Sequence, residues 1–299
     1  MQSLLPMAAL AFISLVWGYS WVLNKLALDS AGPFTFSAWR MSIASLCLLL
    51  ALVLTGRSLR PARWPELLRL GLVQTTGFVG ISMWALVEGS IGRTAILVFT
   101  MPFWTIAFAW PLLQERIRDW QWLALGLALA GLTSIVQPWD IQGSLLSKGL
   151  AVASGIAWAI SSVEVKRMQR RAPMDLLSLT TWQMAFGTLP LWFIASAAGE
   201  PAPVWSGEFI AILLTLAVVS TAVCWFLWMY ALRHLHTGVA SMGMLVIPVV
   251  ALVSAHWHFG EKTSPGEYIG FGLIGSALAL LSWRAWVQHR EVAPVVGQE

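Results

Sequence analysis

Ten runs of apolar residues alternate with short polar breaks along the chain. They cover residues 4–28, 34–54, 67–88, 93–114, 119–137, 148–169, 174–198, 208–233, 237–259 and 266–288. Each approaches the roughly 20 residues that a helix rising 1.5 Å per residue needs to cross a hydrocarbon core. The breaks carry turn chemistry, as in DSAGP (29–33), TGRSLRPARWP (55–65), PWDIQGS (138–144), RRAP (170–173) and GEPAPVWSGE (199–208). None is long enough to fold alone, so no soluble catalytic domain is expected. The pattern predicts an all-α integral membrane protein with ten transmembrane helices.

Composition agrees. Of the 299 residues, 58% are hydrophobic and 11% charged, against about 25% charged in a soluble domain. The net charge of +4 lies mostly in short loops, so it reads as membrane orientation rather than nucleic-acid binding. With the N-terminus placed in the cytoplasm, 13 of the 18 Lys and Arg residues fall on the inner side and five on the outer. Both termini are therefore expected to be cytoplasmic, with 291–299 as a tail. The first run is too long for a signal-peptide core and lacks a basic leader. Cys47 and Cys224 fall inside predicted spans and read as packing residues, not a disulfide.

The chain repeats itself. Residues 85–131 align with 231–277 without a gap: Gly92 meets Gly238, Pro102 meets Pro248, Glu115 meets Glu261, and Arg116 meets Lys262. At slightly smaller offsets Trp17 meets Trp158, Lys25 meets Lys166, and WRM (39–41) meets WQM (182–184). The halves are 1–137 and 138–290. Five spans per half is an odd number, so the second half enters the membrane from the opposite face. Inverted repeats of this kind place a site at the midplane and suit alternating access.

The opening WGYSWVLNK (17–25), the stretch ALVEGSIGRTAILVFTMPFW (85–104) leading to QER (114–116), and the glycine-spaced fifth span resemble the EamA family of the drug/metabolite transporter superfamily. The resemblance covers the whole chain. It implies two inverted five-helix repeats and export of small metabolites across a bacterial inner membrane. The richness in tryptophan is most similar to the YddG-type exporters of aromatic and other amino acids. The second half reads AWAISS where the first reads VWGYS, so its Trp-Gly pair is lost.

Candidate chemistry lies along helix faces. Ser14, Trp17, Trp21 and Asn24 recur at helical spacing on the first span, with Ser20 and Lys25 beside them. Toward lipid, the Asn24 amide would have no partner; toward a cavity it can meet water or substrate. The sixth span carries a similar face with Trp158, Ser161 and Ser162. Gln74, Phe78 and Ser82 line one face of the third span; Thr100, Met101 and Trp104 surround Pro102 in the fourth; Trp228 lies in the eighth. Together these form the candidate substrate site. Pro102 and Pro248 are expected to kink their helices, and with Gly243 they are candidate hinges. The bland alternatives are ordinary. Polar stripes also bond neighbouring helices, for about 1 kcal/mol, and Trp39, Trp64, Trp120, Trp122, Trp139, Trp205 and Trp286 sit where an interfacial belt would be. GxxxG at Gly266–Gly270 and the glycines of the fifth span read as close-packing surfaces.

The expected function is a secondary exporter of aromatic and other neutral amino acids. It would work by alternating access; no carboxylate is an obvious deep proton carrier, Glu164 being the best candidate and as well placed to pair with a nearby basic group, so transport is expected to be facilitative. A drug or nucleoside exporter with proton coupling stays open, as does a channel or a lipid-handling enzyme. The chain carries no DDxxD, GxSxG or P-loop lysine motif, so no enzymatic activity or cofactor is expected. His256 and His258 alternate around a helix and do not converge on a metal. The expected partners are a small-molecule substrate and the bilayer, with the protein a monomer or weak homodimer and no nucleic acid.

Overall fold

The computed structural model describes residues 4–114, 119–136, 144–227, 246–262 and 264–292. All the regular structure among them is helical. The first two crossings are α1 (Leu4–Ala27) and α2 (Pro33–Leu54). The third joins α3 (Trp64–Gly71), a π-helical stretch (Leu72–Gly80) and α4 (Ile81–Glu88). The fourth is broken into α5 (Ile91–Val98) and α6 (Met101–Leu113). Then follow α7 (Asp119–Val136), α8 (Leu145–Arg171) and α9 (Leu176–Ala197). The eighth crossing opens with α10 (Gly207–Leu214) and a second π stretch (Thr215–Val223). α11 (Val246–Phe259) and α12 (Pro265–Val292) complete the bundle.

Six of these segments meet both length and hydropathy requirements for a span, among them Met7–Ala27, Pro33–Leu54, Trp64–Glu88 and Gly207–Leu227. Helices are the economical answer here, because lipid offers no partner to a backbone N–H or C=O. Large apolar side chains such as Leu46, Leu50, Leu189, Phe193 and Phe226 point outward, where acyl chains replace water. Several buried hydroxyls are satisfied within their own helix: Ser14 donates to the Leu10 carbonyl at 2.9 Å and Thr181 to that of Leu177 at 2.7 Å. Gly56 and Gly199, with φ of 65° and 64°, end α2 and α9 in left-handed turns open to a residue without Cβ.

The packing is paired between the halves. α1 lies on α11, and in the matching place α8 lies on α5 and α6. α9 packs on the third crossing, as α2 does on the eighth. The pairs α2 with α9 and α7 with α12 join equivalent crossings of the two halves. Exchanging one half for the other therefore regenerates the same set of neighbours. The π stretches obey the same relation: Leu72 and Thr215 open them 143 residues apart, as do Trp64 and Gly207 for the helices before them.

Pro102 acts as the sequence predicts. The fourth crossing breaks at Phe99 and Thr100, and Pro102 has no N–H to offer the Val98 carbonyl one turn back. Gly155 of α8 packs against that carbonyl; a Cβ there would lie 2.9 Å from it. Pro248 lies in α11, near the start of its described part. Gly243 and Trp228 lie outside the described residues, as do Glu115 and Arg116.

The outer ends, in the orientation expected above, are tied across the halves. The Glu200 carboxylate accepts from Phe34 N (3.1 Å) and Thr35 N (2.7 Å) at the start of α2. Glu261 accepts from Ile91 N (2.7 Å) and Gly92 N (3.1 Å) at the start of α5. Each carboxylate thus meets the positive end of a helix from the other half. Lys25 does the converse, donating to the carbonyls of Leu86, Val87 and Gly89 where α4 ends. The lysine of the first span is a helix cap rather than part of a cavity wall.

Candidate functional site

A central cavity of about 130 Å³ lies between the halves. α1 supplies Trp17, Ser20, Trp21 and Asn24 to its wall. The third crossing supplies Gln74, Phe78 and Ser82, the fourth Met101, and α8 Trp158. These nine residues were all candidates on sequence grounds. Of the others, Trp228 lies outside the described residues, and Thr100, Trp104, Ser161 and Ser162 are not among the lining residues of this cavity. Thr100 and Trp104 line a separate small cleft against Leu125, Ala128 and Leu129 of α7. There the Trp104 indole donates to Thr100 Oγ1 at 3.1 Å, and Thr100 to the Leu97 carbonyl. Ser161 and Ser162 both donate to the Trp158 carbonyl, at 2.7 and 2.8 Å, and serve their own helix. Glu164 pairs with Arg167 on the same helix at 3.6 Å.

Sequence reasoning missed half of the wall. Arg40 and Met41 enter from α2, and Gln183 and Met184 from α9. They are the RM and QM of the matched WRM and WQM, so the repeat itself was the signal, unread as a site. Thr75 comes from the first π stretch, and Ser220 and Thr221 from the second. Trp225 follows one turn later, three residues before the candidate Trp228. π-helical insertions widen a helix by one residue per turn and gather at functional sites. They also rotate the face that follows, which simple 3.6-residue counting does not anticipate.

One wall is aromatic. The Trp17 and Trp225 rings meet edge to face at 6.4 Å, Trp225 and Trp158 tilt together at 5.8 Å, and Phe78 meets Trp158 edge to face at 4.7 Å. Trp225 thereby bridges the repeat mates Trp17 and Trp158. The Trp17 indole N–H donates to the Ser220 carbonyl at 2.8 Å, tying α1 to the second π stretch. Rings held in this way present faces and edges on which an apolar or aromatic group can pack.

The rest of the lining includes polar side chains and one charge. Arg40 Nη1 donates to Asn24 Oδ1 at 3.0 Å, and Arg40 Nε to Thr221 Oγ1 at 3.1 Å. The Thr221 hydroxyl hydrogen goes to the Leu216 carbonyl at 2.9 Å, so its lone pair faces the guanidinium. In the matching place Gln183 Oε1 accepts from Thr75 Oγ1 at 3.0 Å. Each half thus bonds a long polar side chain of its second helix to a threonine in the π stretch of the other half. Among the described residues no Asp or Glu lines the cavity. Among the described residues no group of three His, Cys, Asp or Glu side chains is placed to hold a metal. His256 and His258 have separate hydrogen-bond partners, the Glu261 carbonyl (3.1 Å) and the Tyr19 hydroxyl (2.9 Å).

A ten-crossing bundle of two matched halves around a central amphipathic cavity is the build of a membrane transporter. The model of the EamA-like transporter family matches residues 5–137 and again 146–283, and the chain belongs to this family. It is 25% identical over 276 residues to the uncharacterized transporter YoaV of Bacillus subtilis, covering 90% of this chain and 93% of the relative. It is 26% identical to the uncharacterized inner membrane transporter YedA of Escherichia coli K12, covering 99% and 97%. It is 24% identical to a probable amino-acid metabolite efflux pump of Salmonella typhimurium, covering 89% and 91%. One crystal structure shares the fold with a TM-score of 0.65 at 18% identity, covering 94% of this chain and 99% of the other. The chain is an integral membrane transporter of small molecules.

Proposed function

We propose that the protein exports aromatic and other neutral amino acids by facilitated alternating access. The observation that carries this reading is the central cavity, with an arc of four aromatic rings on one side and Arg40, Asn24 and Gln74 on the other. An amino acid has the matching division, an apolar side chain joined to a charged head that needs partners once water is excluded. The relative named as an amino-acid metabolite efflux pump supports the substrate class. The paired packing of the halves supports the mechanism. Two equivalent arrangements of the same contacts can open the site to opposite faces, with the break before Pro102 as one hinge. Among the described lining residues no carboxylate is available to carry a proton through the site, which supports facilitated transport.

Counterflow in proteoliposomes tests the reading. Vesicles loaded with unlabelled tryptophan, phenylalanine, threonine, a nucleoside or a cationic drug are followed for entry of the matching labelled compound, without an ion or pH gradient. The expected result is a saturable overshoot with amino acids. Overshoot with only the drug or the nucleoside overturns the substrate class. An overshoot that appears only under a proton gradient overturns the facilitative mechanism.

A further inference from the structure

Arg40 lies seven residues into α2, inside the membrane-spanning bundle. A guanidinium has five N–H donors, and this one spends two of them, both on neutral oxygens. Among the described residues no carboxylate lies within 4.0 Å of it, and its other three N–H groups have no partner. A cation in a membrane interior is costly unless an anion or many dipoles answer it. Two neutral acceptors fix its position and leave most of its hydrogen-bonding capacity unspent, and it lines the cavity.

Two further groups on the same wall have unspent capacity. Ser220 is 1% exposed, and its buried Oγ has no partner among the described residues. Gln74 is 9% exposed, and its carboxamide makes no hydrogen bond among the described residues. Three hydroxyls of the lining are committed: Ser20 donates to the Trp17 carbonyl, Ser82 to that of Val79, and Thr75 to Gln183 Oε1. With Arg40 as the one charged side chain among the lining residues, the cavity is cationic. The planar fork of an arginine matches a carboxylate in two parallel hydrogen bonds.

We infer that Arg40 is the receptor for a substrate carboxylate, and that the cavity selects organic acids, zwitterionic amino acids included, over amines of the same shape. The inference rests on the central cavity being the transport site proposed above. Asn24 and Thr221 are positioning residues that hold the guanidinium toward the cavity. The carboxylate takes the unspent N–H groups, the apolar body packs on the aromatic arc, and an ammonium, where present, meets only neutral acceptors such as Gln74 Oε1. A monovalent amine without a carboxylate brings a second positive charge to a site that holds no negative one.

The test uses three probes of one shape: phenylalanine, 3-phenylpropionate and phenethylamine. Each is titrated calorimetrically into the purified full-length protein. The expected result is that both acids bind and the amine binds at least about 30-fold more weakly, the lower range for leaving a buried charge without its partner. Arg40→Gln, which installs the residue found at the matching position in the other half, should weaken both acids by a similar factor. Arg40→Lys, which keeps the charge and loses the fork, should fall between. The wild-type preference among the probes needs no variant, so a misfolded variant does not remove the test. The inference is overturned by an amine that binds wild-type protein as tightly as the acids, or by acids that bind a folded Arg40→Gln protein undiminished. It also falls if none of the three binds folded wild-type protein. Arg40-dependent binding of phenylpropionate with no amino-acid counterflow would uphold the carboxylate receptor and sink the amino-acid reading. Amino-acid counterflow that survives Arg40→Gln would do the reverse.

Discussion

Arg40 and Gln183 hold the same position in the two halves and make corresponding bonds, one to Thr221 and the other to Thr75. Their surroundings differ. Arg40 is half-buried against the cavity and keeps free donors, while Gln183 is 2% exposed and its carbonyl oxygen is already engaged. The backbones behind them differ as well. On the Gln183 side a Cβ at Gly187 would lie 2.3 Å from the Gly71 carbonyl, and one at Gly71 would lie 2.3 Å from the Gln183 carbonyl. α9 and the third crossing are therefore in backbone contact, helped by Thr76 donating to the Gly187 carbonyl at 2.7 Å. On the Arg40 side, the residues 143 positions away are Ala44 and Leu214, which carry side chains. The inverted repeat fixes where the groups stand. Substitution within it has made one junction tight and structural and the other looser, charged and open to the cavity.

The comparison breaks most visibly at the glycines. Gly187→Leu should cost about 3 kcal/mol by overpacking, against about 1 kcal/mol for Ala44→Gly in α2. Denaturant unfolding of the purified protein measures both, and equal losses would mean that the two junctions are equivalent. Next comes the aromatic arc. Trp225→Ala removes the ring that bridges Trp17 and Trp158, and aromatic amino acids should bind about 30-fold more weakly for the roughly 2 kcal/mol of lost contact. Threonine counterflow should suffer less, and a uniform loss across substrates would place Trp225 in the scaffold instead. The threonines sharpen the contrast further. Thr221→Val strips an acceptor from a charged group and should destabilise by about 2 kcal/mol, whereas Thr75→Val breaks a neutral bond for about 1 kcal/mol. Double-mutant cycles with Arg40→Gln and Gln183→Ala would show each coupling, and the order should not invert. Smallest is Ser220→Ala. Its Oγ makes no bond among the described residues, so unfolding should change by less than about 0.5 kcal/mol, and any loss should appear only in substrate binding.

The candidate site was about half legible. Trp17, Trp21 and Asn24 stood out because one helix face can be read by counting, and Gln74, Phe78 and Ser82 for the same reason. Arg40 did not stand out, because its depth and its partners depend on other helices. Trp225 was passed over for Trp228, because position along the eighth span does not reveal the extra residue of its π stretch. Ser161, Ser162, Thr100 and Trp104 show the opposite error. They share a helical face with site residues, yet none of them is among the lining residues of the central cavity.

The crossings, their approximate limits, the break at Pro102 and the existence of two halves follow from the sequence alone. A bilayer sets the length and hydropathy of a span locally, and proline acts on its own helix. The cavity required the tertiary structure. Arg40 and Thr221 are 181 residues apart, and Trp17 and Ser220 are 203 apart. Which side chain of α2 faces which rung of a π stretch is decided by how closely glycine lets helices approach and by how far the inserted residues turn the face. Those are properties of packed pairs of helices, and no single segment carries them.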